Sequence, residues 1–159
     1  PHDCPDTCAM LVTVQAGRSL SQTGGGTVTY LSIVNVQGGG NLAIEGAAHL
    51  AGLAIAPDGR HVAVTVMNGS NAAKTSPFFR EFGWLRVYSV NKTALALVAE
   101  TQIGRWCQGV AWSADARTIL AQCAVEQEIR TFGFDGRRLA TGPSIKVSGG
   151  PSGIRTAQR

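Results

Sequence analysis

The sequence predicts an all-β fold of repeated antiparallel units, and an internal repeat is the main reason. Residues 52–64 (GLAIAPDGRHVAV) recur 57 positions later as residues 109–121 (GVAWSADARTILA). A third start, at Gly153, follows Gly109 by 44 positions, so the period is 44 residues and the first unit has 13 extra. Periods of about 40 to 45 residues built from short strands are typical of four-stranded β-propeller blades.

Alternating, β-branched segments between turn residues predict the individual strands. The three hairpin turns are expected at 57–59, 114–116 and 135–136, the first two as three-residue loops. Ala116 stands where Gly59 supplies a positive φ, which costs backbone strain. The predicted strands cover residues 27–36, 50–56, 60–67, 85–90, 108–113, 118–125, 128–134 and 139–147. We therefore expect a partial β-propeller of about two complete four-stranded antiparallel blades plus flanking pieces.

The chain is predicted to have three parts: a leader over residues 1–18, a flexible linker over 19–26, and a partial propeller over 27–159. The linker is rich in glycine and small polar residues, which bury too little apolar surface to become ordered. No apolar run approaches the ~20 residues of a membrane span.

The first 14 residues (PHDCPDTCAMLVTV) resemble the leader of molybdopterin oxidoreductases, in which such cysteines hold an iron–sulfur cluster. A cluster takes four thiolates. Cys4 and Cys8 supply two, and nothing between Cys8 and Cys107 can supply another. We expect no metal site here, and an electron-transfer fragment is one alternative function.

The charge of the chain does not favour nucleic-acid binding. The net charge is +4, with a pI of about 9.2. The basic residues are scattered singly, apart from the pair Arg137 and Arg138 in a turn, and form no stripe with interleaved aromatics. The expected partner is instead a small molecule or a protein.

Three segments resemble the lactonase-like, or YVTN-type, bacterial β-propellers: residues 56–64 (APDGRHVAV), 85–90 (LRVYSV) and 149–157 (GGPSGIRTA). The resemblance covers about residues 27–157. It implies radially arranged four-stranded blades, usually seven, and a periplasmic or extracellular location, although no signal peptide is visible. Because two blades cannot close a ring, we expect a fragment or a fused reading frame that self-associates through unpaired edges such as 28–36 and 145–147.

Binding residues are expected at the end of the blades where the chain reaches each inner strand and where the second and third strands connect. The 13 extra residues fall within 68–84, whose aromatic and charged side chains suit a binding surface or lid. Alternatively, these aromatics fold back as local core. The candidate binding residues are His49, Asn68, Phe78, Phe79, Arg80, Trp106, Gln108, Glu126 and Arg155.

No catalytic residue or cofactor is predicted. The three histidines have no metal-ligand spacing, the G-x-S-x-G signature is absent, and the glycine runs precede no helix. A non-catalytic binding or scaffold module is therefore the leading hypothesis, and a lactonase-like hydrolase remnant is the main alternative. An acidic or histidine cluster would favour the hydrolase, and only His49, Glu126 and Arg155 contribute to one.

Cys107 and Cys123 are candidates for a disulfide. If residues 114–116 form a three-residue loop, Ser113 faces Arg117, and counting back sets Cys107 opposite Cys123. Directly opposed residues lie about 4.5 to 5.5 Å apart at Cβ, near the range a disulfide accepts. The alternative is two buried thiols that act as small hydrophobic side chains.

Overall fold

The predicted all-β fold is confirmed by a computed structural model, which describes residues 11–15, 18–23, 30–34, 41–45, 50–91 and 94–154. These ranges contain no helix, and hence none that could cross a membrane. The strands are β1 (Leu11–Gln15), β2 (Arg18–Thr23), β3 (Tyr30–Val34), β4 (Asn41–Glu45), β5 (Leu50–Ile55), β6 (His61–Val66), β7 (Gly83–Asn91), β8 (Ala94–Ile103), β9 (Cys107–Trp112), β10 (Thr118–Cys123), β11 (Glu128–Phe134) and β12 (Leu139–Lys146).

Two four-stranded antiparallel sheets form the body of the chain. The first blade has the order β5-β6-β7-β8 and the second the order β9-β10-β11-β12. Two hairpins, β1-β2 and β3-β4, precede them. Strand β8 was not anticipated, because its sequence ALALVAETQI is rich in alanine. It pairs with β7 along its length, and such pairing outweighs weak intrinsic strand preference.

The region of the expected linker contains a strand. Arg18–Thr23 pairs with β1, so residues 19–23 of the expected flexible segment belong to a hairpin. Ladder hydrogen bonds join backbone groups, so a polar segment can pair as well as an apolar one. Residues 24–26, together with Cys4 and Cys8, lie outside the described residues, and the three-part division of the chain stays a prediction.

Both repeated hairpin loops have four residues rather than the three expected. Ala56 N–H donates to His61 O at 2.9 Å, and Ser113 N–H donates to Thr118 O at 2.8 Å, so each loop closes one residue later than predicted. The extra residue follows the left-handed position, which is Gly59 (φ 69°) in the first loop and Ala116 (φ 57°) in the second. The strained alanine is therefore confirmed.

The third turn lies at the expected position, with Gly136 at φ 97°. Asp135 N–H donates to Arg138 O at 3.3 Å, and Asp135 Oδ1 accepts hydrogen bonds from Arg137 N–H and Arg138 N–H at 2.8 and 2.7 Å. The aspartate thus holds the two-residue loop closed.

The main core lies between the two blades. Trp112 bridges them, since its indole N–H donates to Ala54 O at 3.0 Å and its ring meets Phe134 edge to face at 5.6 Å. Each strand contributes alternate residues to this layer, as expected for sheets that pack face to face. The buried members are Ala56, Ala63, Leu85, Val87, Ile103, Cys107, Val110, Trp112, Ile119, Ala121, Cys123, Phe132 and Phe134.

Candidate functional site

The candidate site lies at one end of the blades, here called the upper face. It comprises the β6–β7 loop (residues 67–82), the segment before β9 (residues 104–106) and the β10–β11 loop (residues 124–127). The order of the strands in each blade brings these segments to the same end, as the sequence analysis expected.

The β6–β7 loop is a chain of tight turns. Ser70 N–H donates to Met67 O at 2.9 Å, and Phe79 N–H donates to Ser76 O at 3.1 Å. Gly69, with φ 78°, allows the loop to fold back on itself, because a Cβ at this position would meet the carbonyl oxygen of Phe78. The base is closed by Asn68, whose side-chain amide donates to Phe82 O at 3.3 Å. Asn68 is therefore engaged in holding the loop.

The aromatic side chains of the extra segment divide between solvent and local core. Phe78 is 76% exposed, whereas Phe79 is half-buried. Phe82 meets Trp84 edge to face at 5.3 Å, and Trp84 packs on a buried valine and tyrosine cluster of the first blade. Arg80 donates from Nη1 to the carbonyl oxygen of Phe79 at 2.8 Å. Only Phe78 among these aromatics is presented fully to solvent.

An ion pair connects the two loops of the second blade. Glu126 accepts hydrogen bonds from both the backbone N–H and the Nε of Arg105, at 2.9 and 3.1 Å. The guanidinium also lies 3.9 Å from Glu81. Gly104 makes this approach possible, because a Cβ there would lie 2.9 Å from Cδ of Glu126. The only acidic candidate of the sequence analysis thus has a partner and a structural role.

Trp106 has a strained backbone, with φ 53°. Its N–H donates to the hydroxyl of buried Ser70 at 3.1 Å, and its carbonyl oxygen accepts from Ala124 N–H at 3.2 Å. Its indole N–H is buried without a hydrogen-bond partner in the described part of the chain. Strain of this kind persists where the surroundings hold the residue, and it is frequent at binding sites.

The structure joins Cys107 and Cys123 by a disulfide, with their Cα atoms 4.0 Å apart. Their opposition is confirmed, although the count that predicted it was one residue short at the loop. Trp112 pairs with Ile119 instead of Thr118, and a bulge between Gln122 and Cys123 restores the register. An equivalent bulge occurs in the first blade, so it is a feature of the repeat.

A cleft of about 520 Å³ opens beside the upper face, between the first strands of the blades. Strands β5 and β9 contact each other, and residues 152–154 continue the wall. Its lining consists of the same short motif from three successive repeats: Gly52 and Leu53; Gln108, Gly109 and Val110; Ser152, Gly153 and Ile154. No charged side chain is among them.

The glycines of this motif set the spacing of the inner strands. A Cβ on Gly52 would contact the carbonyl oxygen of Gln108, and a Cβ on Gly109 would lie 3.2 Å from Cγ2 of Ile154. At Gly153 a Cβ would meet nothing within 4 Å in the described chain. The first two glycines are required for packing, whereas Gly153 borders open space.

Two buried polar side chains lie behind the cleft at equivalent positions. Thr65 pairs across the strands with Gly52, and Gln122 pairs with Gly109. Thr65 is fully buried and Gln122 is 6% exposed. Their Oγ1 and Oε1 atoms have no hydrogen-bond partner among the described residues. They make the floor of the cleft polar without adding charge.

The structure therefore places the predicted binding residues in different roles. Gln108 lines the cleft, Phe78 is free at the surface, and Trp106 lies between two loops. His49 and Arg155 lie outside the described residues. The lining glycines were recognised in the sequence only as starts of the repeat, and Ser70 and Gly104 had no recognisable signal. Within the described ranges, no three His, Cys, Asp or Glu side chains are placed to hold a metal.

Solved structures that resemble this chain are β-propellers. The Swd1 (Cps50) propeller domain of Myceliophteria thermophila has a TM-score of 0.58 at 14% identity, over 91% of this chain and 45% of that one. The periplasmic gluconolactonase PpgL of Pseudomonas aeruginosa has a TM-score of 0.56 at 15% identity, over 86% of this chain and 38% of that one. The chain is a partial β-propeller. It spans less than half of either structure, and no family model or curated protein sequence matches it.

Proposed function

We propose that this partial propeller is a non-catalytic binding module, of the lactonase-like bacterial type, which takes its ligand in the cleft at the upper face. The observation that carries the proposal is the chemistry of the lining. Eight residues from three repeats form it, and none has an ionisable side chain. Hydrolysis needs a positioned acid, base or activated nucleophile, and the hydroxyl of Ser152 has no acidic or histidine neighbour in this lining.

The charged groups of the upper face support the same conclusion. Glu126 has a side chain only 26% exposed, and it is held by two hydrogen bonds from Arg105. Lys146 donates to the backbone oxygen of Glu126 at 3.2 Å. A carboxylate held in this way stabilises the loop, and it is poorly placed to exchange a proton with a substrate.

The disulfide supports the location that the sequence resemblance implies. Disulfides persist in oxidising compartments and are rare in the cytosol. The pair Cys107 and Cys123 is 1% and 0% exposed, which protects it from reduction. A periplasmic or extracellular protein is consistent with both observations.

The hydrolase alternative rests on the likeness to PpgL, which at 15% identity concerns the fold. It is tested by measuring hydrolysis of glucono-δ-lactone and p-nitrophenyl acetate, with and without added Ca²⁺, Mn²⁺ or Zn²⁺. We expect rates at the uncatalysed level for the wild-type chain and for Glu126→Gln and Gln108→Ala. A rate clearly above background that either substitution abolishes would establish the hydrolase and refute the proposal.

A further inference from the structure

We infer that the cleft between the inner strands receives a short, uncharged peptide segment in an extended conformation. This inference rests on the proposed function, because it names the ligand of the same site. Peptide recognition by extended segments depends on unpaired strand edges and on pockets for alternate side chains, and the cleft provides both.

The unpaired edges belong to β5 and β9. Each is the first strand of its blade, so one side of its backbone has no partner in its own sheet. Both strands face the cleft through Gly52 and Gly109, and residues 152–154 form a third wall. An extended peptide presents backbone N–H and C=O groups at the spacing that such edges match.

The apolar contacts come from the residue that follows each repeat glycine. These residues are Leu53, Val110 and Ile154. Leu53 is 41% exposed, which is unusual for a large aliphatic side chain on an inner strand, so it is available for contact. Aliphatic side chains of a peptide fit between these three residues, whereas a compact polar ligand would leave Leu53 in water.

The absence of charge in the lining selects against ionised ligands. Gln108 and Ser152 contribute the polar side chains, and Thr65 and Gln122 lie behind the glycines with unpaired oxygens. Placing an isolated charge against such a surface costs free energy, because the lining offers no counter-ion. Neutral amide groups both donate and accept hydrogen bonds, and they match this surface.

Gly153 provides a specific test. A valine there would project into open space rather than into neighbouring atoms, so the fold is expected to tolerate it while the cleft becomes narrower. Gly133 is the matched control, because its nearest neighbours are atoms of Ala140 at 3.9 and 4.0 Å, and it lies on β11 away from the cleft.

The experiment uses the whole chain labelled with ¹⁵N and three blocked tetrapeptides, acetyl-Ala-Val-Ala-Val-amide and its Ala-Glu and Ala-Lys counterparts. We expect the uncharged peptide to shift the amide signals of Gly52, Gly109 and Gly153 at millimolar concentration, and the charged ones to bind about tenfold more weakly. Gly153→Val should weaken binding about tenfold, whereas Gly133→Val and Phe78→Ala should leave it unchanged.

The inference is wrong if the uncharged peptide causes no shifts, if all three peptides bind equally, or if N-methylacetamide at the same amide concentration gives the same shifts. The last result would identify a small-molecule cleft. Should Gly153→Val fail to fold, Leu53→Glu decides instead, because a carboxylate at the cleft should reverse the preference toward the Ala-Lys peptide. None of these outcomes depends on hydrolysis, so the proposed function is tested separately.

Discussion

The two complete blades share a backbone plan and differ in how their side chains stabilise it. Both have a four-residue first loop, a bulge near the start of the inner strand and a glycine at the cleft. The equivalent side chains differ at four places: Leu85 and Ile129 on the third strand, the pairs Leu50–Val66 and Cys107–Cys123, the pairs Trp84–Gln102 and Glu128–Lys146, and Gly59 and Ala116 in the loops. The repeat thus specifies geometry, and each blade meets it with its own chemistry.

The largest difference is expected at Leu85 and Ile129. Leu85 is fully buried against the second blade, whereas Ile129 is half-buried on the far face of the second blade. Leu85→Ala should lower the free energy of unfolding by about 2 to 5 kcal/mol, because it leaves a cavity. Ile129→Ala should cost about 1 kcal/mol, since less apolar area is lost. Equal losses in urea denaturation would show that the far face is covered as completely as the inter-blade layer.

The disulfide is expected to contribute about 3 kcal/mol, the value for a closed loop of its size, given the 16-residue separation of the cysteines. Replacing Cys107 and Cys123 together by alanine should lower the thermal midpoint under non-reducing conditions. The control is Val66→Ala in the first blade, which should lower it equally with and without reductant. Peptide mass spectrometry without reduction should find the link after oxidative expression. A double variant as stable as the wild type would show that the bridge adds nothing.

Glu128 should make the second blade sensitive to acid. Its carboxylate is 6% exposed, and the hydrogen bond from Lys146, followed by one from Ser144 and the nearby Arg130 charge, lowers its pKa despite desolvation by burial. A lowered folded-state pKa means that this stabilisation is present above the ordinary glutamate range and is lost as the pH falls through the folded-state pKa.

Lys146→Met should therefore cost about 1 to 2 kcal/mol at pH 7 and much less at pH 3. The control is Gln102→Met, which changes the equivalent residue opposite Trp84, and its effect should not depend on pH. Urea denaturation at the two pH values measures both. A Lys146→Met effect that is the same at pH 3 and pH 7 would contradict the role of the ion pair.

The smallest effect is expected in the loops. Gly59 and Ala116 hold similar left-handed conformations, and a Cβ at Gly59 would meet nothing within 4 Å. Gly59→Ala should destabilise the chain by about 1 kcal/mol, and Ala116→Gly should stabilise it by a similar or smaller amount. Because no contact changes at Gly59, the pair measures backbone strain. Opposite signs to those expected would indicate that the loops rearrange.

Much of the fold was predictable because the repeat is written in local features. Turn residues such as Asp58 and Gly59, and the alternation of the strands, act within a few residues of the chain. The loop length was misjudged by one residue. An Asp side chain that accepts a hydrogen bond two residues later, as Asp58 does from Arg60 N–H at 2.8 Å, is compatible with either count.

The site was less predictable because its members belong to different repeats. The sequence indicated the loops of the upper face, and it could not show that Arg105 would reach Glu126, that Ser70 would accept from Trp106, or that Arg80 would bond to its own loop. These contacts depend on side-chain directions after the strands have paired. The glycines of the cleft were visible as a repeat, but only packing shows that two of them separate strands and the third borders open space.

The amino-acid sequence by itself determined that this chain is all-β, that its unit is a four-stranded blade and that Cys107 faces Cys123, because period, alternation and turn chemistry are properties of neighbouring residues. Only the tertiary structure decided which polar groups are paired, which glycines are required and where a neutral cleft opens. Those properties follow from the approach of strands far apart in the sequence, and their distances depend on how the two blades pack.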